Sequence, residues 1–239
     1  MTKVQFYGSG LAGSTDQSYP GKLIIVEGPD GVGRSTQIAL LREWLEANGY
    51  AVSSSGFKRS ELAAQGIAQA KLGHTLGHIT SALFYAADFA DRLERELVPA
   101  LRAGFVVLND RYLYSMIARS IVRGVDPDWV RSLMGFALVP DAIFYLQTDV
   151  KSLLPRVLSS RSFDYWESGM DFMGRPDYYE SFVAYQEKML AVLDQLSNEF
   201  SFDVIDATRP VEDVFAELKT KVGAMVSELK PQTVSTGQA

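Results

Sequence analysis

The sequence predicts an α/β fold, a doubly wound sheet of five parallel strands with helices on both faces. Two observations predict it. Five short apolar or β-branched runs are bounded by turn residues, and helical periodicity fills the stretches between them. Strands that alternate with helices are joined by right-handed crossovers, so the strands of such a sheet run parallel. The predicted strands are 22–27, 50–54, 105–109, 142–147 and 202–205.

Three of these strands are apolar at consecutive positions, namely 23–26, 105–108 and 142–146. An unbroken apolar strand is buried on both faces, as a parallel sheet between two layers of helices requires. Ligands of such sheets bind beyond the carboxyl ends of the strands. We therefore expect the chemistry to follow Val26, Ser54, Asn109 and Gln147.

The longer helices are predicted at 35–48, 78–103, 178–199 and 211–229. The first places Ile38, Leu41 and Leu45 on one face and stops at Gly49, a residue type that commonly ends helices. Residues 1–20 are rich in Gly and Ser and are predicted to be a flexible N-terminal arm. A single domain is expected over 21–229, followed by a flexible tail at 230–239.

Composition limits the classes of protein to consider. The chain has 239 residues, 47% of them hydrophobic, and its 23 Lys and Arg against 29 Asp and Glu give a net charge of −6. An acidic chain is a poor binder of nucleic-acid backbones, so no nucleic-acid partner is expected. The absence of cysteine excludes disulfides, a thiolate nucleophile and Cys-ligated metals. No apolar run or leader pattern predicts a membrane span or secretion, so we expect a cytoplasmic protein.

A phosphate-binding loop follows the first predicted strand. Residues 28–36 match the pattern G-x-x-x-x-G-K-[ST], with Arg34 in place of Lys. Glycines let backbone N–H groups surround phosphate oxygens at the positive end of the following helix. The hydroxyl of Ser35 is expected to hold Mg²⁺. The predicted nucleotide-binding residues are Gly28, Pro29, Asp30, Gly31, Val32, Gly33, Arg34, Ser35 and Thr36.

Arg34 leaves alternatives open. An Arg keeps the positive charge of Lys but presents a planar fork that needs more room. The chain could therefore be an active kinase of nucleotides, a nucleotide-binding sensor that has lost turnover, or a kinase of another small molecule.

The segment 26–33 (VEGPDGVG), together with 109–112 (NDRY) at the end of the third strand, resembles the thymidylate kinase family of nucleoside monophosphate kinases. The likeness covers residues 21–225. It implies a P-loop NTPase fold and transfer of the γ-phosphoryl group of Mg-ATP to a nucleoside monophosphate, dTMP or a related nucleotide. It also implies a homodimer, with which the apolar face of 78–103 is compatible.

The resemblance also implies roles for individual residues. Asp30 would contact the sugar of the acceptor nucleotide, and Asp110 would support the Mg²⁺ shell with Ser35. Arg111 and Arg59 would grip the acceptor phosphate, and Phe57 would pack beside the acceptor. A lid at about 156–176 would bring Arg161 over the transferred phosphoryl group, with Arg156 or Arg175 as substitutes. The catalytic set would then be Arg34, Arg111 and Arg161.

The residues that would read the base depart from the family pattern. The aromatic position on the third helix is Tyr85, but Phe89 stands where the family has an Arg. Beyond Tyr112, an aromatic–Gln pair is replaced by Arg119 and Ser120. We hypothesise that the acceptor is not dTMP, or that dTMP is accepted with relaxed selectivity. The predicted acceptor-binding residues are Asp30, Phe57, Arg59, Tyr85, Phe89, Arg111, Tyr112, Arg119 and Ser120.

The predicted lid is acidic and aromatic rather than rich in arginine. Its carboxylates at Asp164, Glu167 and Asp171 would repel phosphates unless they pair with arginines or carry a metal. The alternative is a lid that packs on its own aromatic rings. His74 and His78, four residues apart, could share one helix face but are expected to lie on a surface rather than to bind metal.

Overall fold

The computed structural model describes residues 3–11, 17–57, 60–160 and 163–229. Five strands form one parallel sheet in the order β2–β3–β1–β4–β5. Since the strand order is non-sequential and every pairing is parallel, the predicted α/β class is confirmed. The strands are β1 (Lys22–Glu27), β2 (Val52–Gly56), β3 (Val106–Asp110), β4 (Ala142–Gln147) and β5 (Asp203–Asp206).

Helices cover both faces of the sheet. Leu23 and Ile25 of β1 belong to one buried apolar cluster, whereas Ile24 and Val26 belong to a second. Helices α3, α5 and α8 contribute to the first cluster, and α1 and α9 to the second. The helices are α1 (Arg34–Ala47), α2 (Ala64–Leu72), α3 (His78–Arg92), α4 (Val98–Arg102), α5 (Leu113–Val122), α6 (Pro127–Leu133), α7 (Val150–Ser160), α8 (Tyr178–Glu199) and α9 (Val211–Val226).

The long helix predicted at 78–103 runs without a gap from His78 to Arg102, but its hydrogen-bonding pattern changes along the way. It consists of α3, a π-helical turn at Leu93–Leu97, and α4. Pro99 lies in the first turn of α4, and a proline inside a helix would lack a hydrogen bond and clash with the preceding turn. A π-helical turn is rare and occurs mostly as a single turn inside an α-helix, as it does here before Pro99.

Helix α5 was not predicted, although seven of its ten residues are buried and its apolar side chains share one face. Helices α2, α6 and α7 were also not predicted, and β2 begins two residues later than expected.

The described part of the N-terminal segment, 3–11 and 17–20, differs from the loose arm that the sequence predicted. Val4 N–H donates to Gln17 O at 2.9 Å, and Phe6 forms a bridge to Leu138. The ring of Tyr7 meets the ring of Phe200 edge-on at 5.3 Å. Apolar and aromatic side chains among the glycines therefore hold this segment on the first cluster. The predicted tail, 230–239, lies outside the described residues.

Within the ranges that the structure describes, no helix has the length and apolar character needed to cross a membrane.

Candidate active site

The site lies where β1 and β3 end side by side. Val26 is the register partner of Asp110, and the N–H of Arg111 donates to Val26 O at 3.0 Å. The phosphate-binding loop leaves β1 at this point, and the Asp110–Arg111 pair leaves β3. The predicted edge of the sheet therefore gathers the loop and the strand-end charges.

The loop conformation depends on its glycines. Gly31 has φ +84°, and a Cβ atom there would lie 2.8 Å from Cγ2 of Val157. Gly33 has φ +106° and precedes the first residue of α1. Residues with a side chain rarely adopt these backbone angles. The loop can therefore turn tightly into the N-terminus of α1, where backbone N–H groups favour anions.

Arg34 folds back onto the loop and onto β3. Its Nε donates to Asp110 Oδ1 at 2.7 Å, and its Nη1 donates to the carbonyl oxygens of Gly28, at 2.7 Å, and Pro29. The planar guanidinium thus holds both sides of the site at once. A lysine ammonium would not present the same fork.

Ser35 and Asp110, the two predicted metal-binding residues, lie together. Ser35 Oγ is 3.4 Å from Asp110 Oδ2. Hydroxyl and carboxylate oxygens suit Mg²⁺, which is commonly bound by one or two carboxylates together with substrate phosphates and water. The described ranges hold no group of three or more His, Asp or Glu able to bind a metal, so a cage built from side chains alone is not formed there. The pair fits an ion that arrives with phosphates.

Asp30 joins two arginines. Arg111 Nη2 donates to Asp30 Oδ1 at 2.5 Å, and Arg119 Nη2 donates to Oδ2 at 2.9 Å. Arg111 has φ +67° and its Nη1 donates to Ser115 Oγ at 3.1 Å. Burial lowers the pKa of Arg111, and the charge of Arg34 lowers it further, while Asp30 raises it. The loop carboxylate therefore offsets a concentration of positive charge.

Glu27, at the end of β1, is fully buried beneath this cluster. It accepts hydrogen bonds from Tyr112 N–H at 2.7 Å and from Ser115 Oγ at 2.6 Å. Burial raises the pKa of Glu27, and Arg111 and the hydrogen bonds offset part of that rise. Glu27 holds the corner between β3 and α5, from which Arg111 emerges. Its position as the first charged residue after an apolar strand was the signal available for this role.

A pocket lined by aromatic rings opens beside Asp30, and we call it the ring-lined pocket. Phe57 and Tyr85, both predicted for the acceptor, meet edge-on at 5.8 Å between ring centres. Arg119 and Ser120, which are consecutive residues of α5, also line this pocket. The lining includes Phe57, Lys71, His78, Tyr85, Met116, Arg119, Ser120, Arg123, Trp166, Glu167 and Tyr185.

Phe89 and Tyr112, two of the predicted acceptor contacts, are not among the residues that line this pocket. Phe89 is fully buried against Tyr112, at 4.9 Å, and against Phe136. The hydroxyl of Tyr112 donates to Leu138 O at 2.9 Å, away from the site. Burying apolar rings in the first cluster stabilises the fold, so these two residues serve the core. Arg59, predicted to bind the acceptor phosphate, and Arg161, predicted as the catalytic arginine of the lid, fall outside the described residues.

Arg123 fastens the lid region to α5, a role that was not predicted. Its Nε and Nη2 bind the two oxygens of Asp171 at 2.7 and 3.0 Å, and Nη2 also donates to Trp166 O at 2.9 Å. Its Nη1 donates to the hydroxyl of Tyr185 at 3.1 Å. The spacing of Arg119 and Arg123, four residues apart on one helix face, was the available signal.

The lid combines both kinds of contact that its sequence allowed. Asp171 pairs with an arginine, whereas Asp164 accepts the N–H groups of Trp166 and Glu167 and so shapes a turn. The ring of Tyr165 stacks on His74 at 3.8 Å. His74 thus lies against the lid.

Two lid arginines remained as substitutes for Arg161. Arg156 Nη1 donates to Val32 O at 3.2 Å and so reaches the phosphate-binding loop. Arg175 is exposed.

A model of the family described as thymidylate kinase matches residues 26–218 of the chain. The chain belongs to the thymidylate kinase family. It is 38% identical over 208 residues to a Saccharolobus solfataricus protein named "Probable thymidylate kinase 2", a match that covers 86% of this chain and 97% of that protein. It is 37% identical over 216 residues to a thymidylate kinase of Clavibacter michiganensis, covering 87% and 97%.

These matches confirm the resemblance on which the sequence analysis relied. The chain is a nucleotide-binding phosphotransferase, and the alternative of a sensor without turnover is not favoured.

Proposed function

We propose that this thymidylate kinase family member transfers the γ-phosphoryl group of Mg-ATP to dTMP. One observation carries the proposal: the phosphate-binding loop, the Ser35–Asp110 pair and the Asp30–Arg111 pair meet at a single sheet edge. Phosphoryl transfer needs positioning and positive charge around the transferred oxygens, and these groups supply both. The related kinases named above support dTMP as the acceptor.

Each group has a proposed task. The loop N–H groups and Arg34 hold the phosphates of the donor, and Arg111 holds the phosphate of the acceptor with Arg59. Asp30 orients Arg111 and faces the sugar. Arg156, and Arg161 beyond the described residues, add positive charge near the transferred group. Ser35 and Asp110 would hold Mg²⁺, which neutralises charge developing on the phosphate oxygens when it is bound.

We further infer that two copies associate and that the kinase acts in the cytoplasm, where its proposed substrates are made and used. Ile79 and Leu83 on α3 are each about half exposed, at 50% and 48%. Burying such side chains stabilises an interface. Light scattering should give twice the chain mass of 26.4 kDa, and Leu83→Asp should shift the mass to that of one chain.

Transfer from ATP should be measured across dTMP, dUMP, UMP, dCMP, CMP, GMP and AMP. We expect the highest kcat/KM with dTMP. The nearly isosteric Arg34→Met should lower kcat about 100-fold or more because it removes a cation from the phosphates, whereas Arg34→Lys should retain more activity. Tight ATP binding without turnover would contradict the proposal and indicate a sensor. A strong preference for another nucleotide would reassign the acceptor.

A further inference from the structure

Arg119 carries a hydrogen-bond donor that no residue in the described ranges accepts. Its Nη2 is bound to Asp30 Oδ2 at 2.9 Å, but its Nε is buried and has no hydrogen-bond partner among the described residues. Buried polar groups in native proteins are nearly always paired with protein, water or ligand. Because Arg119 lines the ring-lined pocket, a ligand in that pocket can supply the missing acceptor.

The other basic side chains of the pocket are engaged elsewhere. Arg123 donates hydrogen bonds to Asp171, Trp166 O and the hydroxyl of Tyr185. Lys71 Nζ lies over the rings of Tyr85 and Trp166, at 5.9 and 5.5 Å from their centres. His78 Nε2 lies 3.9 Å from Asp171. Arg119 therefore differs from the other basic residues of the pocket in offering it an unpaired N–H donor.

The third helix offers no substitute for this donor at position 89. Phe89 is fully buried in the core and carries no polar atom. Phe57, Tyr85 and Trp166 bring aromatic surfaces to the pocket, which suit the faces of a planar base. Arg119 of α5 then offers a guanidinium donor to the edge of such a base.

We propose that Arg119 is a specificity-determining residue whose Nε–H donates to O4, the 4-oxo oxygen of the acceptor's pyrimidine base. The proposal rests on the proposed function, in that the ring-lined pocket takes the base of the acceptor nucleotide. Asp30 holds the guanidinium in place, and the same carboxylate holds Arg111. The Asp30 carboxylate thus positions both the arginine that would recognise the base and the arginine that would bind the phosphate.

The expected consequence is selection for a 4-oxo pyrimidine over a 4-amino pyrimidine. Thymine presents an oxygen that can accept the Nε–H, whereas cytosine presents an amino group that would leave both donors unpaired. Sites built to hydrogen-bond a polar group reject analogues that lack it far more strongly than apolar pockets do. The wild-type enzyme should favour dTMP over dCMP by about 100-fold or more in kcat/KM.

Two substitutions separate reading of the base from neutralisation of Asp30. Arg119→Met removes both functions. Arg119→Lys keeps a cation for Asp30 but has no second planar N–H. Both variants should lower the dTMP-to-dCMP ratio at least tenfold, chiefly by raising KM for dTMP. If Arg119→Lys keeps the full ratio, the role is only that of a charge partner and the proposal is wrong.

Arg131→Met is the matched control, since it removes a guanidinium that pairs with Glu199 at the surface, and neither residue lines the ring-lined pocket. This variant should change neither the dTMP-to-dCMP ratio nor the KM for dTMP. Calorimetric titration of dTMP and dCMP without ATP gives the same test without turnover, and circular dichroism checks folding. Wild-type enzyme that transfers phosphate to no nucleoside monophosphate overturns the proposed function. If the wild-type enzyme is active on dTMP and both Arg119 variants keep the wild-type dTMP-to-dCMP ratio, only the role of Arg119 is overturned.

Discussion

The role of each charged residue in the site depends on which hydrogen-bond or ion-pair partner lies close enough to contact it. Arg34 binds Asp110 and two loop carbonyls, although the motif predicts only that a cation stands there. Glu27 is buried under the arginines, so its charge is offset by Arg111 rather than by water. Both residues were visible in the sequence as charged positions near a strand end. Their charged partners were not, because Asp110 ends a different strand and Arg111 directly follows that strand.

Glu27→Gln tests the electrostatics of this buried carboxyl. Burial raises the pKa of Glu27 above its ordinary value of 4.5, so the folded protein keeps the proton to higher pH than the unfolded chain does. The stability that Glu27 contributes is complete below the unfolded pKa and is lost as the pH rises through the folded pKa. Gln does not titrate and has no such loss.

The unfolding free energy of Glu27→Gln, measured with urea at about pH 4 and about pH 7, should therefore increase relative to the unfolding free energy of wild type as the pH rises. A constant offset between the two proteins at both pH values would show that the pKa of Glu27 is not raised. The constant part of the difference reports the hydrogen bonds to Tyr112 and Ser115 that the amide makes less well.

Among the elements, the lid and α5 are the pair that the sequence described least well. The lid was expected to provide arginines, yet in its described part it mainly provides Asp171 and Trp166 O as acceptors for Arg123. The side chains of Arg123 and Asp171 are only 10% and 7% exposed. Such a shielded bidentate pair fixes the lid over the ring-lined pocket.

Arg123→Met should release the lid. Removing one partner of a buried ion pair costs about 3–5 kcal/mol because the other charge remains uncompensated. We expect faster amide hydrogen exchange at 163–173 and a higher KM for the acceptor, with slower exchange retained in the sheet. Arg131→Met breaks a half-exposed pair and should cost only about 0–1 kcal/mol. Unchanged exchange at 163–173 would show that Arg123 does not fasten the lid.

For the whole molecule, the first cluster extends beyond the predicted domain into the N-terminal segment. Tyr7 Oη lies 2.5 Å from Tyr114 Oη, and Phe200 packs against both rings. The predicted boundary at residue 21 therefore does not coincide with the boundary of the core. Glycine-rich composition suggested a loose arm because short-range patterns do not reveal a single aromatic anchor.

Tyr7→Ala should destabilise the protein by about 3 kcal/mol, since it removes a large ring from a packed cluster. Tyr7→Phe keeps the ring and should cost only about 1 kcal/mol for the lost hydrogen bond. Tyr178, which is 41% exposed, provides a control, because Tyr178→Ala should change stability by less than about 0.5 kcal/mol. Urea unfolding measures all three. A Tyr7→Ala protein as stable as wild type would mean that the segment adds nothing to the core.

The sequence by itself determined the parallel sheet, the phosphate-binding loop and the sheet edge at which the loop and the Asp110–Arg111 pair meet. Each of these is encoded in contiguous residues: an apolar run, a glycine spacing, or a charged pair that ends a strand. Local patterns of this kind survive without knowledge of distant contacts. The family resemblance, rather than a local pattern, implied that Asp110 acts with Ser35, and the two side chains lie 3.4 Å apart.

Only the tertiary structure decided which side chains share the site. It moved Phe89 into the core, joined Arg119 to Asp30 across 89 positions of sequence, and tied Arg123 to Asp171 across 48. Pairing between a cation and a carboxylate falls off steeply with distance, and distance is set by packing of the helices on the sheet. The selectivity assigned to Arg119 is therefore a property of the folded chain.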